Sequence, residues 1–312
     1  MTRRRVAVAF VAIAALLLIN TFLVNRDSRA AESFAGGHVL KLEGPDLNVR
    51  EYGPASANDA IVLLHGYSAS IEWWKYVIPA LTATGRRVVA IDLVGHGGSE
   101  APTDTDAYGA AGQASAVINA LAELGLQHVT LVGHSMGGHV ALAVAERKPG
   151  LVDGVAISDT FGGPGLRALP ILARAACWPV MGQSIDRFKH WDAMVEGSLQ
   201  TGFAKNFKVP AMAHRSLEQL TYRGVCKSKA GDQMNAKEPV ADQLVALGKP
   251  VLVIWGDRDD LTPTATNVAR YEKSGLKPHI IKGSGHSPMI EKPNAFLKVL
   301  LPFLASVQRS GS

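Results

Sequence analysis

Five short, largely apolar runs without alternation recur along the chain: Ile61–Leu64, Val88–Ile91, Val129–Val132, Val155–Ile157 and Val251–Trp255. A strand with one wet face alternates apolar and polar residues, whereas a run without alternation must be buried on both faces. Only a mostly parallel sheet covered by helices on each side supplies that environment. The runs therefore predict an α/β chain with a central sheet. Val39–Glu43 and Leu47–Tyr52 form an opening pair of strands, and His279–Ile281 forms the last. Helices are expected over Glu72–Thr82, Gly109–Leu124, Met136–Arg147, Pro263–Ser274 and Pro293–Val307, because parallel neighbours need a crossover between them. The rhythm breaks between about residues 160 and 240, where no strand-like run occurs. This stretch begins near Gly162-Gly163-Pro164-Gly165 and is expected to be a helical lid inserted into a core made of residues 31–159 and 241–312.

Residues 1–30 have a different character. Arg3, Arg4 and Arg5 precede an apolar run from Val6 to Val24, broken mildly by Asn20 and Thr21. A basic start followed by an apolar stretch is what the secretion machinery reads. Two outcomes are open. The run of 19 residues is close to the ~20 needed to cross a bilayer and would make a signal anchor. Alternatively, its first part is a signal peptide, with Ser28 and Ala30 marking cleavage before Ala31. Either way the positive end stays in the cytoplasm and the rest of the chain lies outside, as an anchored or as a secreted or periplasmic protein. The formal net charge of +5 divides accordingly: +4 in residues 1–30, −7 in 31–159, +5 in 160–240 and +3 in 241–312. Beyond residue 30 the chain is nearly neutral, so no nucleic-acid partner is expected.

The chemistry concentrates in three places. Gly133-His134-Ser135-Met136-Gly137 directly follows a strand run and precedes a helical pattern. A serine on such an elbow sits in strained backbone with its hydroxyl above the sheet, at the positive end of the next helix. A serine needs a base and an orienting acid to act as a nucleophile. His286, at the tip of the loop after the last strand, is the candidate base. For the acid, the turn after Val251–Trp255 offers Asp257, Asp259 and Asp260. Asp259 is preferred, Asp257 and Asp260 read as turn and capping residues, and Asp159 after an earlier strand is a rarer alternative.

The order Ser135…Asp259…His286, with His65-Gly66-Tyr67, Asp92-Leu93-Val94-Gly95-His96-Gly97-Gly98-Ser99, Trp255-Gly256-Asp257-Arg258-Asp259 and Gly285-His286-Ser287-Pro288-Met289-Ile290-Glu291-Lys292-Pro293, resembles the α/β-hydrolase-fold serine hydrolases that carry a lid. Val94 departs from the proline or arginine of many relatives. The resemblance implies Ser135 as nucleophile, His286 as base, Asp259 as orienting acid, and an oxyanion hole from the backbone N–H groups of Tyr67 and Met136. Serine at 135, rather than aspartate, argues against the dehalogenase and epoxide-hydrolase branches. The implied activity is carboxylic ester hydrolysis of the esterase or lipase kind, through an acyl-enzyme. Carbon–carbon bond hydrolysis, amide hydrolysis and cofactor-free haloperoxidase chemistry use the same residues, and a binding protein on a retired scaffold is the non-enzyme alternative. No metal-ligand cluster, phosphate-cradling loop or dinucleotide fingerprint occurs, so no cofactor and no metal are expected.

Cys177 and Cys226, the only cysteines, both fall in the inserted stretch, and an exported protein favours their pairing as a disulfide. Trp178, Met181, Phe188, Trp191, Met194, Phe203, Phe207 and Met212 lie there too. As a set they suggest an apolar acyl pocket beneath the lid for a small-molecule ester.

Overall fold

In a computed structural model of the protein, residues 3–163 and 175–307 are described, without the side chain of Asp192. Pro164 and Gly165, expected at the opening of the insertion, lie outside the described residues. Among the described residues one sheet contains β1 (His38–Leu40), β2 (Leu47–Tyr52), β3 (Asp59–Leu64), β4 (Arg87–Ile91), β5 (His128–His134), β6 (Val152–Ser158), β7 (Val251–Gly256) and β8 (His279–Ile281). Their spatial order is β1-β2-β4-β3-β5-β6-β7-β8. The pairings β1–β2 and β2–β4 are antiparallel, and every pairing from β4 to β8 is parallel.

β3 explains the runs without alternation. Val62 and Leu64 pack on one face with Val117 and Leu121 of α3 (Ala110–Glu123) and Val140 and Val144 of α4 (Met136–Arg147). Ile61 and Leu63 point to the other face, against Trp74, Leu81 of α2 (Ile78–Thr82), and Phe296 and Leu300 of α13 (Pro293–Ser306). Successive side chains alternate between faces, and both faces are dry, so every position must be apolar.

Two expected elements are corrected. Glu72–Thr82 is not one helix: Ile71–Trp74 is a 3₁₀ turn, and α2 starts anew with Pro79 in its first turn. Proline lacks the N–H that an interior helical position donates, and is tolerated at a helix start. β1 stops at Leu40 rather than reaching Glu43. The Leu42 N–H donates to Asp46 Oδ1 at 3.0 Å, which takes it out of any ladder.

Between β6 and β7 the described residues form α5 (Met181–Asp186), α6 (Asp192–Gln200), α7 (Ala211–Glu218), α8 (Tyr222–Lys227), α9 (Ala230–Lys237) and α10 (Val240–Ala246). The remaining helices are α1 (Arg3–Asn25), α11 (Thr264–Lys273) and α12 (Pro288–Glu291). α1 is long and apolar enough to cross a membrane, and its side chains are mostly exposed. Asn20, which interrupts the apolar run, is where it meets the insertion. Asn20 Nδ2 donates to Gln183 O at 3.2 Å, Arg187 Nε donates to Asn20 Oδ1 at 3.0 Å, and Gln183 Nε2 donates to Asn25 Oδ1 at 3.0 Å.

Candidate active site

The parallel register aligns the carboxyl ends of five strands. Leu64 is opposite Gly133, His134 opposite Ser158, Ser158 opposite Ile254, and Gly256 opposite Ile281. The loops after these strands carry Tyr67, Ser135, Asp159, Asp259 and His286 to one edge of the sheet, where ligand sites form in open α/β sheets.

Ser135 joins β5 to α4 with φ 50° and ψ −117°. This region costs a non-glycine residue ~1–3 kcal/mol and persists only where neighbours impose it. Here the Ser135 N–H donates to Ser158 O at 2.8 Å, and Thr160 Oγ1 donates to Ser135 O at 3.1 Å. Gly137 shows how tight the elbow is. A methyl there would lie 2.2 Å from Leu64 O and 2.5 Å from His65 O. The first turn of α4, starting at the buried Met136, thus packs on the end of β3 beside the His65-Gly66-Tyr67 turn. Tyr67 is 42% exposed, and its phenol donates to Val225 O of α8 at 3.1 Å.

His286 Nε2 is 2.9 Å from Ser135 Oγ, and His286 Nδ1 is 2.8 Å from Asp259 Oδ2. The Asp259 carboxylate accepts further bonds at Oδ1 from the N–H groups of Leu261 at 2.8 Å and Thr262 at 2.9 Å, and at Oδ2 from the Thr262 hydroxyl. With Nδ1–H donated to Asp259, Nε2 is left to accept the serine proton. Both Asp259 and His286 are buried at 4% exposure, which removes competing water.

The other acids are occupied elsewhere. Asp257 is exposed and accepts the Gly283 N–H at 2.7 Å, and Asp260 pairs with Lys205 at 3.4 Å. Asp159 is fully buried next to the pair. It accepts the Gly256 N–H at 2.9 Å and the Ser158 hydroxyl at 2.6 Å, and offers an oxygen within 4.8 Å of ligand atoms of both Asp259 and His286. Burial, with the Asp259 charge adding to it, holds the Asp159 carboxyl well above the usual carboxylate range.

Sequence reasoning assigns no role to three residues that hold this arrangement. His134 Nε2 donates to His286 O at 2.7 Å, and burial, reinforced by His286, lowers the His134 pKa to about 3, so its ring is neutral. Thr262 caps Asp259 through its N–H and its hydroxyl. Glu291 accepts the N–H groups on both sides of His286, from Gly285 at 3.0 Å and Ser287 at 3.2 Å. The available signal is an acid at the end of the otherwise apolar segment Pro288–Ile290, followed by Lys292-Pro293. An acid that folding buries needs donors.

A cavity of about 350 Å³ opens at Ser135 and His286. Its walls include Trp73 from the core, and Phe161, Phe188, Met194, Leu199 and Phe203 from the stretch between β6 and β7. Of the eight large apolar residues expected as a pocket set, Phe188, Met194 and Phe203 line the cavity. Phe207 stacks on Phe203, Met212 is buried in the core, and Trp178, Met181 and Trp191 are about half exposed. Which apolar side chains face a cavity depends on how short helices pack, and composition does not encode that. Cys177 and Cys226 are joined as a disulfide with an S–S distance of 2.15 Å, linking the segment before α5 to α8.

Comparison with known proteins agrees with this architecture. The alpha/beta hydrolase fold family matches residues 59–293. A monoacylglycerol lipase of Xenopus laevis is 24% identical over 82% of this chain and 78% of its own length. Among solved structures, an enol-lactonase from Burkholderia xenovorans LB400 superposes with a TM-score of 0.70 at 23% identity, covering 86% of this chain and 100% of that one. A membrane phospholipase A has a TM-score of 0.64 at 25% identity, covering 99% of this chain and 100% of that one. With a mostly parallel eight-stranded sheet, a strained serine elbow and a family match over 59–293, the chain belongs to the α/β-hydrolase fold family.

Proposed function

We propose that this protein is a membrane-anchored serine hydrolase that cleaves carboxylic esters with an apolar acyl group. The observation that carries the reading is the continuous contact Ser135 Oγ–His286 Nε2 at 2.9 Å and His286 Nδ1–Asp259 Oδ2 at 2.8 Å. His286 takes the proton of Ser135 as its Oγ attacks the ester carbonyl. Asp259 stabilises the imidazolium and fixes its tautomer. The developing oxyanion is held by the N–H groups of Tyr67 and Met136, aided by the N-terminal dipole of α4. The tetrahedral species expels the alcohol, protonated by His286, and water activated by the same imidazole releases the acid from Ser135.

The aromatic and aliphatic walls of the cavity suit an alkyl chain. Residues 160–240 act as its lid, and that they carry +5 favours an interface with anionic headgroups. Retention of the first thirty residues, rather than cleavage before Ala31, is favoured by their bonds to the rest of the chain. Besides Asn20 and Asn25, Arg29 Nη2 donates to Ser99 O at 2.9 Å, and the Arg29 backbone pairs with Ala101. The membrane phospholipase A likeness extends over 99% of the chain, hence over α1. The catalytic body would then lie outside the cytoplasmic membrane, with Arg3–Arg5 inside.

A panel of chromogenic esters of increasing acyl length, with wild type and Ser135→Ala, tests the reading. Turnover that Ser135→Ala abolishes, with preference for medium or long chains, is expected. A wild type that hydrolyses none of them and resists a fluorophosphonate would sink it.

A further inference from the structure

Glu291 ends α12, is 7% exposed, and bonds neither to Ser135 nor to the His286 ring. Its carboxylate nevertheless accepts three backbone N–H groups from two separate parts of the chain. Oε2 accepts from Gly285 at 3.0 Å and from Ala204 at 2.9 Å, and Oε1 accepts from Ser287 at 3.2 Å. Gly285 and Ser287 flank His286, whereas Ala204 belongs to the helical insertion, just after α6.

The same two segments meet again beside it. Ser287 Oγ donates to Gly202 O at 2.8 Å and accepts the indole N–H of Trp73 at 3.3 Å. The backbones are so close that a methyl on Gly285 would lie 2.2 Å from the Ala204 nitrogen. One residue on, Lys205 Nζ reaches Asp260 Oδ2 at 3.4 Å, on the turn that carries Asp259. The strap 202–205 therefore touches the loops of both the base and the acid.

Resting on the ester-hydrolase reading, we propose that Glu291 is a positioning residue that couples the insertion to His286: the imidazole is aligned for Ser135 only while residues 202–204 are seated on the base loop. The physical reason is donor count. Three buried N–H groups converge on one carboxylate, and an ionised acceptor makes stronger hydrogen bonds than a neutral one. If the strap lifts, Ala204 loses its partner and the pair of bonds around His286 loses its brace. If the carboxylate is replaced, strap and loop are released together. Motions that admit substrate must then occur in other parts of the insertion, such as α5 and α8, if the base is to stay aligned.

The test uses the full-length protein and Glu291→Gln, which keeps the shape but replaces one acceptor oxygen by a donor. A displacement of about 1 Å at a reacting group can cost on the order of 100-fold. The expected result is a kcat roughly 10- to 100-fold lower per folded molecule, with KM for a p-nitrophenyl ester within about threefold of wild type. Hydrogen–deuterium exchange should rise together at the amides of 203–204 and 285–287. A kcat within about twofold of wild type, or exchange that rises at 285–287 but not at 203–204, overturns the coupling. Ser287→Ala, which removes only the Gly202 and Trp73 bonds, should lower kcat by a smaller factor at unchanged KM. It carries the test if Glu291→Gln does not fold, and an unchanged kcat there counts against the proposal. If the wild type cleaves no ester, the ester reading falls, and the exchange data still decide whether strap and loop are linked.

Discussion

The sheet edge and the helical insertion meet at one cavity but are built on different principles. At the sheet edge, position is set by backbone. Ser135 is held by Ser158 O and Thr160, Gly137 sits where a methyl would lie 2.2 Å from Leu64 O, and Asp259 is capped by two N–H groups and a hydroxyl. In the insertion, helices of 6 to 9 residues are held by apolar packing, a disulfide and a few side-chain bonds. On the proposed reading, the first region, which tolerates little change in shape, serves chemistry, and the second, apart from the strap 202–205, serves the fit of the substrate. Substitutions should accordingly change rate in one region and selectivity in the other.

Short of losing Ser135 or His286, the largest expected effect is at the acid. Asp259→Asn keeps the volume but no longer favours the tautomer with Nδ1 protonated, so turnover should fall by about 10⁴-fold. Asp159 lies close enough to matter here. If Asp259→Asn retained more than about a tenth of wild-type turnover, and Asp159→Asn added to it removed that remainder, the acid assignment would move to Asp159.

A change in the insertion should act differently. Leu199→Trp adds bulk to the cavity wall from α6, and long-chain esters should lose about 10-fold or more in kcat/KM, in the range one or two methylenes of misfit command. Short-chain esters should stay within about threefold. Equal losses for all chain lengths would mean that the insertion sets rate beyond its strap 202–205, and the contrast between the regions would fail.

Acid should act on the sheet edge first. Burial is the leading cause that lowers His96 and His139 to about 4, His134 to about 3, and His65 well below its usual value. A histidine whose pKa is lower in the folded state contributes stability above its unfolded value of 6.5, and loses it as pH falls toward the folded one. Asp92 opposes this. Burial raises it to about 6, so its contribution is lost as pH rises through that value and recovers as pH falls. Asp159, also raised by burial, acts in the same sense, but between pH 7 and 5 two carboxyls stand against four histidines. The melting temperature should therefore be lower at pH 5 than at pH 7. An unchanged or higher melting temperature at pH 5 would contradict the neutral, buried state of these rings.

The smallest effect on turnover is expected from reducing Cys177–Cys226, which closes a loop with a sequence separation of 49. The chain-entropy estimate allows up to ~4 kcal/mol of stability. Limited proteolysis should then cut within 175–237 before the sheet, while the fluorophosphonate rate at Ser135 changes by less than about threefold. A loss of labelling as large as that of Asp259→Asn would show the insertion to be part of the catalytic frame well beyond the Glu291 strap.

The features legible before folding are those that local physics decides. Runs such as Ile61–Leu64 announce a strand buried on both faces because no other environment suits them, and Gly133-His134-Ser135-Met136-Gly137 announces its elbow because only glycine fits so near a neighbouring strand. The buried strands and the elbow are therefore legible. Glu72–Thr82 is not, because propensity does not say on which side of Pro79 the chain restarts a helix. Three partnerships are decided only by tertiary structure: His134 with the His286 carbonyl, Asp159 beside Asp259, and Glu291 with Ala204. Each joins residues 87 to 152 positions apart, and each involves a buried polar group that finds its donor or acceptor across the fold. The sequence by itself determined which groups must be buried and where the chain must turn, since these depend on side-chain polarity and backbone sterics. Which buried polar groups meet was determined by packing, because that is a property of distance in space and not along the chain.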